Sequence, residues 1–234
     1  MEQSDKIAEH MSTYETVIIM ANLAGKSGAA LAPVVSSICK EQNKNVLSFA
    51  IMPFKFEKNR IFQSGISLKR LRMNSDSTII IDNDAILDSN PDFTAEKCYN
   101  VTNDAIKCLT TSIKSSSLTD DTNIMSTSRS AENIEDSVKD SIKMLYEDAP
   151  PNSIKRSMLY VYGADKIPVG VINSISNILG GIFDEENSQV DMSTSGNTNV
   201  VLLSAIAGET RFDKYDPLGI ISKDKTLDWD EPET

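Results

Sequence analysis

Apolar residues fall in short runs along this chain, separated by helical stripes. Thr16-Val17-Ile18-Ile19-Met20 is the first run, Val46 to Ile51 the second and Ser77-Thr78-Ile79-Ile80-Ile81 the third. Each has strand length, and continuous apolar runs suit strands buried on both faces of a sheet. Between the first two, Leu31, Val34, Val35, Ile38 and Cys39 recur at i, i+3, i+4, i+7 and i+8, which predicts a helix over 29–42 with Pro33 in its first turn. Ile61, Ile66, Leu68 and Leu71 mark another helix over 58–73, and Ile7, Ala8 and Met11 a short one over 2–12. Strands at 15–21, 45–51 and 77–81 alternating with helices predict a parallel sheet clad on its faces.

The second half reads differently. A long helix is expected from Thr94 to Lys114 on Val101, Ala105, Ile106, Leu109 and Ile113. Residues 115–130 are rich in Ser and Thr and read as a linker. A helix over 131–146, ended by Pro150-Pro151, then a strand at 157–162, a helix at 168–180 and strands at 188–193 and 198–206 form a smaller α+β unit. The expected organisation is a partial α/β domain over 1–93, a central helix over 94–115, a linker over 116–130, an α+β domain over 131–208 and a flexible acidic tail over 209–234.

Composition narrows the function classes. The net charge of −11 repels a phosphate backbone, so no nucleic-acid partner is expected. The apolar runs are too short to span a bilayer, and Met1-Glu2-Gln3-Ser4-Asp5-Lys6 is too polar for a secretory signal. Together they predict a cytoplasmic protein without direct membrane insertion. Cys39, Cys98 and Cys108 lack close ligand spacing and read as inert thiols, so no metal site is expected from them. His10 is the only histidine, which excludes a histidine-based triad.

The candidate chemistry lies between residues 15 and 60. The first strand runs into Ala24-Gly25-Lys26-Ser27-Gly28-Ala29-Ala30, then a helix, then a strand that breaks at Pro53-Phe54-Lys55-Phe56-Glu57-Lys58-Asn59-Arg60. Strand, glycine loop and helix in this order present backbone N–H groups to a phosphate. Gly25-Lys26-Ser27 is also the end of a P-loop, where Lys26 would reach β- and γ-phosphates, but Met20 stands where that motif needs its first glycine.

These pieces together resemble the FtsZ/tubulin superfamily, and FtsZ more than tubulin. Ala24 to Pro33 occupies the place of the FtsZ loop Gly-Gly-Gly-Thr-Gly-Thr-Gly-Ala-Ala-Pro, with Gly25, Gly28, Ala32 and Pro33 matching and Ser27 for a threonine. Pro53-Phe54-Lys55-Phe56-Glu57 matches the corner Pro-Phe-x-Phe-Glu. Asp82-Asn83-Asp84-Ala85-Ile86-Leu87 resembles the turn Pro-Asn-Asp-Lys-Leu-Leu, and Asn103-Asp104 the Asn-Asp of the central helix. The resemblance covers roughly residues 2 to 207. It implies phosphate contacts from Gly25, Lys26, Ser27, Gly28 and Ala29, ribose contacts from Glu57 and Arg60, and guanine contacts from Asn83 and Asp104. Each also has a structural reading: Asp104 as a solvated helix residue, Asn83 as a turn former, and Glu57 with Arg60 as a surface ion pair.

Departures from the family pattern weigh on activity. Three family strands and a Gly-Gly-rich loop that precede the strand at 15–21 have no counterpart here. Ala24 and Ala30 replace glycines, and Lys26 adds a side chain. The family's catalytic Asn-x-Asp-Phe-Ala-Asp is met only by Leu118-Thr119-Asp120-Asp121-Thr122, with Asp120 and Asp121 wrongly spaced as catalytic candidates. The resemblance therefore implies a cytoskeletal or cell-division-type protein with a degenerate guanine-nucleotide site. It would be a non-hydrolysing interaction or regulatory member, with an active filament-forming GTPase as the alternative. GTP or GDP would bind weakly, with Mg2+ only alongside nucleotide. Implied partners are another copy, a full-length FtsZ-like relative, and a membrane-adaptor protein docking on residues 216–221.

Overall fold

The computed structural model describes residues 2–113, 122–128, 133–183, 185–194 and 198–216. Seven helices and seven strands lie in these residues: α1 (Glu2–Met11), β1 (Thr16–Asn22), α2 (Lys26–Glu41), β2 (Asn45–Met52), α3 (Lys58–Asn74), β3 (Ser77–Asp82), α4 (Asn83–Ser89), α5 (Ala95–Ser112), β4 (Thr122–Ser128), α6 (Ile134–Asp148), β5 (Ile154–Tyr162), α7 (Val169–Ile182), β6 (Ser188–Ser193) and β7 (Asn199–Ile206). The strands form one sheet in the order β1-β2-β3-β4-β7-β5-β6. β1 to β4 run parallel, β7 is antiparallel to both its neighbours, and β6 is parallel to β5. The predicted mixed α/β fold with a mostly parallel sheet is the one observed.

Side-chain alternation decides which helix covers which face. Val17, Ile19, Ala21, Val46, Ala50, Met52 and Ile80 meet α2 and α3. Ile124, Leu159, Val161, Val200 and Leu202 continue that face under α6 and α7. The opposite face, with Leu47, Phe49, Ile79, Ile81, Met125, Tyr160 and Val201, packs on Ala105, Ile106 and Leu109 of α5.

Three expectations are corrected. Part of the expected linker, Thr122–Ser128, is a fully buried strand that pairs with β3 on one side and β7 on the other, so a single sheet joins the two halves. Its polar sequence hid it. Two of those polar groups bond inside the sheet: Asn123 Nδ2 donates to Ser77 Oγ at 3.0 Å, and Thr127 Oγ1 to the Val200 carbonyl at 2.8 Å.

Residues 210–216, expected in the flexible tail, fold back as a 3-10 turn over Arg211–Tyr215. Thr210 and Asp213 cap it reciprocally, and Phe212 is buried against the α2–α3 core. A few apolar residues suffice because the turn also closes an ion-pair cluster.

Pro33 lies inside α2 rather than in its first turn, because the helix begins at Lys26. Proline has no N–H for the Ala29 carbonyl one turn back. Ser67 Oγ of α3 supplies that donor at 2.8 Å, buried.

Candidate functional site

β1, β2 and β3 run parallel, so the segments after Asn22, Met52 and Asp82 emerge at the same carboxyl edge of the sheet, where open α/β sheets bind ligands. All three sequence-predicted loops lie there. Asn22 organises the first. Its Oδ1 accepts the Ala24 N–H at 3.0 Å, its carbonyl accepts the Gly25 N–H at 3.1 Å, and its side chain bonds the Tyr99 hydroxyl from α5. Leu23 N–H donates to the Ile51 carbonyl at 2.9 Å, which ties the loop to β2. Gly25 caps α2 in extended conformation without a side-chain cap, and no acid lies in the first turn. The N–H groups of Lys26, Ser27 and Gly28 therefore have no intrahelical acceptor and point out of the helix start, an arrangement suited to an anion. Lys26 and Ser27 are exposed, Gly28 is half-buried and Ala29 is buried.

The second loop turns through Phe54, buried and stacked on exposed Phe56, with Tyr99 edge-on. Glu57 Oε2 accepts the Phe54 N–H at 3.0 Å, and Arg60 N–H donates to the Glu57 carbonyl at 2.7 Å. Glu57 thus holds its own corner, and no ion pair joins it to the half-buried Arg60 among the described residues.

The third loop is helical: α4 starts directly at the strand end, where a turn was expected. Asp82 caps it by accepting the Asp84 and Ala85 N–H groups. Asn83 is buried; its Oδ1 accepts from Thr102 Oγ1 at 2.9 Å and its Nδ2 faces the Met52 carbonyl at 3.5 Å. Each end of the amide has one partner within the protein. Asp104 is exposed on α5. Its neighbour Asn103 helps line a groove of about 380 Å³ with Met20, Asn22, Ile51 and Lys107, large enough for a small ligand. Asp120 and Asp121, and residues 217–221 of the expected docking peptide, lie outside the described residues.

Sequence reading missed a charged cluster behind the third loop. Arg211 Nη2 pairs with Asp82 Oδ2, and Arg211 Nε stands 2.9 Å from Asp148 Oδ1 at an angle that makes no hydrogen bond. Asp82 and Asp148 are both almost fully buried. Burial first, then the charge of Asp82, holds the Asp148 carboxyl well above the ordinary range. Burial also raises Asp82, against the opposing pull of Arg211. Asp84, whose Oδ2 accepts the Lys55 N–H at 2.6 Å, is pushed up to about 6 by burial and then by Asp82. Only Asp82 and Asp84 had been singled out, as parts of a turn. Arg211 sat in a segment whose composition read as a tail.

The Asp84 shift fixes a pH dependence. Its folded carboxyl holds its proton more tightly than the unfolded one, so the cost of ionising it is absent below the unfolded value, grows as pH rises to about 6 and is full above that. Asp84→Asn keeps an acceptor for Lys55. Thermal melts are expected to find it about 2 kcal/mol more stable than the parent at alkaline pH, and no more stable near pH 4. Equal gains at both pH values would contradict the shift.

Known proteins resemble this chain in sequence over its first part and in fold over most of it. The sequence model of the "Tubulin/FtsZ family, GTPase domain" matches residues 1–91, which span the Gly25–Gly28 loop and the Pro53–Glu57 corner together. Over these residues the chain is similar to the FtsZ/tubulin superfamily. Cell division protein FtsZ 2 of Halobacterium salinarum is 35% identical over 95 residues, covering 41% of this chain and 24% of that protein. FtsZ of Aquifex aeolicus is 36% identical over 87 residues, covering 37% and 24%. The chain thus aligns with about a quarter of the length of these relatives. The fold likeness runs further. An FtsZ dimer structure from M. jannaschii superposes with a TM-score of 0.68 at 19% identity, over 88% of this chain and 67% of that one. CetZ from Methanosaeta thermophila gives 0.66 at 13% identity, over 93% and 70%. Among the described residues of this FtsZ-like chain, no helix is long and apolar enough to cross a membrane.

Proposed function

We propose that this chain is a cytoskeletal or cell-division-type member of the FtsZ/tubulin superfamily with a degenerate guanine-nucleotide site, acting through interactions rather than GTP turnover. The observation that carries the reading is the loop itself: Ala24 and Ala30 stand where the family pattern has glycines, and Lys26 opens α2 with a side chain. A phosphate group fits what remains: the N–H groups of Lys26, Ser27 and Gly28 would accept it, and Lys26 adds a cation. Asp104 would accept the N1–H and 2-amino groups of guanine beside the Asn103 groove. Mg2+ would come only with the nucleotide. Asn83 would contribute to the base only through the acceptor and donor capacity left by Thr102 and the Met52 carbonyl.

Such a chain would work in the cytoplasm on a second copy, on a full-length FtsZ-like relative, or on a membrane adaptor through residues 216–221. Steady-state phosphate release with GTP and Mg2+ tests the reading: no release above the protein-free blank is expected. Release that grows with protein concentration would favour the alternative, a filament-forming GTPase with a site shared between subunits.

A further inference from the structure

Residues 207–216 leave β7, cross to α3 and reach the loops of the carboxyl edge through Arg211. Ala207 N–H donates to the Ser153 carbonyl at 2.7 Å. Exposed Gly208 follows at φ +94°, and a Cβ there would meet nothing within 4 Å, so the chain turns in open space at a residue free to change its backbone angles. Thr210 and Asp213 then close the 3-10 turn on itself. Thr210 N–H donates to Asp213 Oδ2 at 2.7 Å, and Asp213 N–H to the Thr210 carbonyl at 3.1 Å. Phe212 is the buried anchor in the α2–α3 core, with Tyr215 edge-on beside it. The pairs Arg72–Asp213 and Lys69–Asp216 have partly exposed cations and hold little. Gly65 of α3 lies directly under the turn. A Cβ there would stand 2.6 Å from Tyr215 Cβ, 2.8 Å from the Tyr215 carbonyl carbon and 3.1 Å from the Asp216 nitrogen.

Arg211 is where this segment grips. Its guanidinium pairs with Asp82 and stands beside Asp148, so it spans the end of β3 and the end of α6. Asp82 accepts the N–H groups of Asp84 and Ala85 and so sets the start of α4, and Asp84 Oδ2 accepts the Lys55 N–H at 2.6 Å. One series of bonds thus runs from the turn through the third loop to the second. The first loop has its own: Leu23 N–H donates to the Ile51 carbonyl and Gly25 N–H to the Asn22 carbonyl.

We propose that residues 208–216 are a releasable clamp on the carboxyl edge. Seated against Gly65, they hold the third loop and the Lys55 corner through Arg211; when they lift about Gly208, both loosen together. A self-closed segment with one buried anchor belongs at the low end of a protein's opening energies. The coupling is contact in series, with two states of one segment at its head. Residues 217–221 follow Asp216 directly, so a partner that takes them pulls on the clamp first. That consequence rests on the adaptor reading above; the clamp does not.

Hydrogen exchange followed by NMR on the full chain, without nucleotide or partner, tests this. Gly65→Ala keeps α3, where alanine is the better helix former, and drives a methyl group into the backbone of the turn. The amides of Thr210 and Asp213 should exchange roughly tenfold faster, and those of Lys55, Asp84 and Ala85 should follow by a similar factor. Leu23 and Gly25 should keep the parent's rates. Should Gly65→Ala not fold, the parent decides in low urea: the amides of Thr210, Asp213, Lys55, Asp84 and Ala85 should open in one step, below global unfolding. Turn amides that open only with the whole protein, or that ignore Gly65→Ala, would overturn the proposal. So would a turn that opens while Lys55, Asp84 and Ala85 stay protected, or an acceleration that extends equally to Leu23 and Gly25. None of these readouts depends on GTP binding, so they stand or fall apart from the nucleotide reading.

Discussion

Arg211→Met is expected to cost about 3–5 kcal/mol at neutral pH, because it leaves the buried Asp82 and Asp148 pair without its cation. For a chain of this size that lowers the melting temperature by roughly 10 °C. The pH dependence distinguishes this from a loss of packing. Without Arg211, Asp82 and Asp148 hold protons still more tightly in the folded state, so the penalty is full at neutral pH and fades as pH falls toward the unfolded carboxylate value of about 3.9. Adding Asp148→Asn to Arg211→Met should recover a large part of the loss. Arg72→Met is the control. Arg72 pairs with Asp213 at 2.7 Å with both side chains partly exposed, and its loss should cost no more than about 1 kcal/mol. Thermal melts across pH, with no acid rescue of Arg211→Met, would contradict the buried cluster.

Gly28→Ala is the second large effect. A Cβ at Gly28 would stand 2.2 Å from the Asn22 carbonyl oxygen and 3.0 Å from its carbon. Both are backbone atoms, held by the bonds that tie Asn22 and Leu23 to α2, α5 and β2, so α2 has to lift from β1. Overpacking of this kind costs about 1–3 kcal/mol, and the upper end is expected because no side chain can swing aside. The neighbouring Gly25 has its nearest contact at 3.3 Å and an ordinary φ of −81°, so Gly25→Ala should stay within about 0.5 kcal/mol. Urea unfolding without nucleotide measures both. The sequence suggested that Gly28 lets backbone approach a phosphate; its contact with Asn22 makes it a packing glycine whatever the loop binds. Equal midpoints for Gly28→Ala and the parent would refute that assignment.

What was legible in the sequence follows from how each element is stabilised. β1, β2, β3 and α5 bury apolar side chains in regular periods, and periodicity found them within a few residues. β4 is buried yet reads Thr-Asn-Ile-Met-Ser-Thr-Ser, because cross-strand hydrogen bonds from Asn123 and Thr127 replace apolar contacts, and no local pattern reveals partners that distant in the chain. The turn over Arg211–Tyr215 was hidden for the same reason: Arg211 makes sense only beside Asp82 and Asp148, which lie 129 and 63 positions earlier in the chain. The carboxyl-edge loops were readable through their motifs. Their bonding was not: the engagement of Asn83 by Thr102, the use of Glu57 to hold Phe54, and the bridge from Asn22 to Tyr99 depend on α5 lying across the strand ends.

The proposed nucleotide site is kept in part, around the anion-ready start of α2. Calorimetric titration of the full chain with GTP in the presence of Mg2+ tests it most directly. The predicted result is a dissociation constant no tighter than about 1 mM, near −4 kcal/mol, weakened further by Asp104→Ala. Saturable binding well below the millimolar range, accompanied by phosphate release, would contradict it.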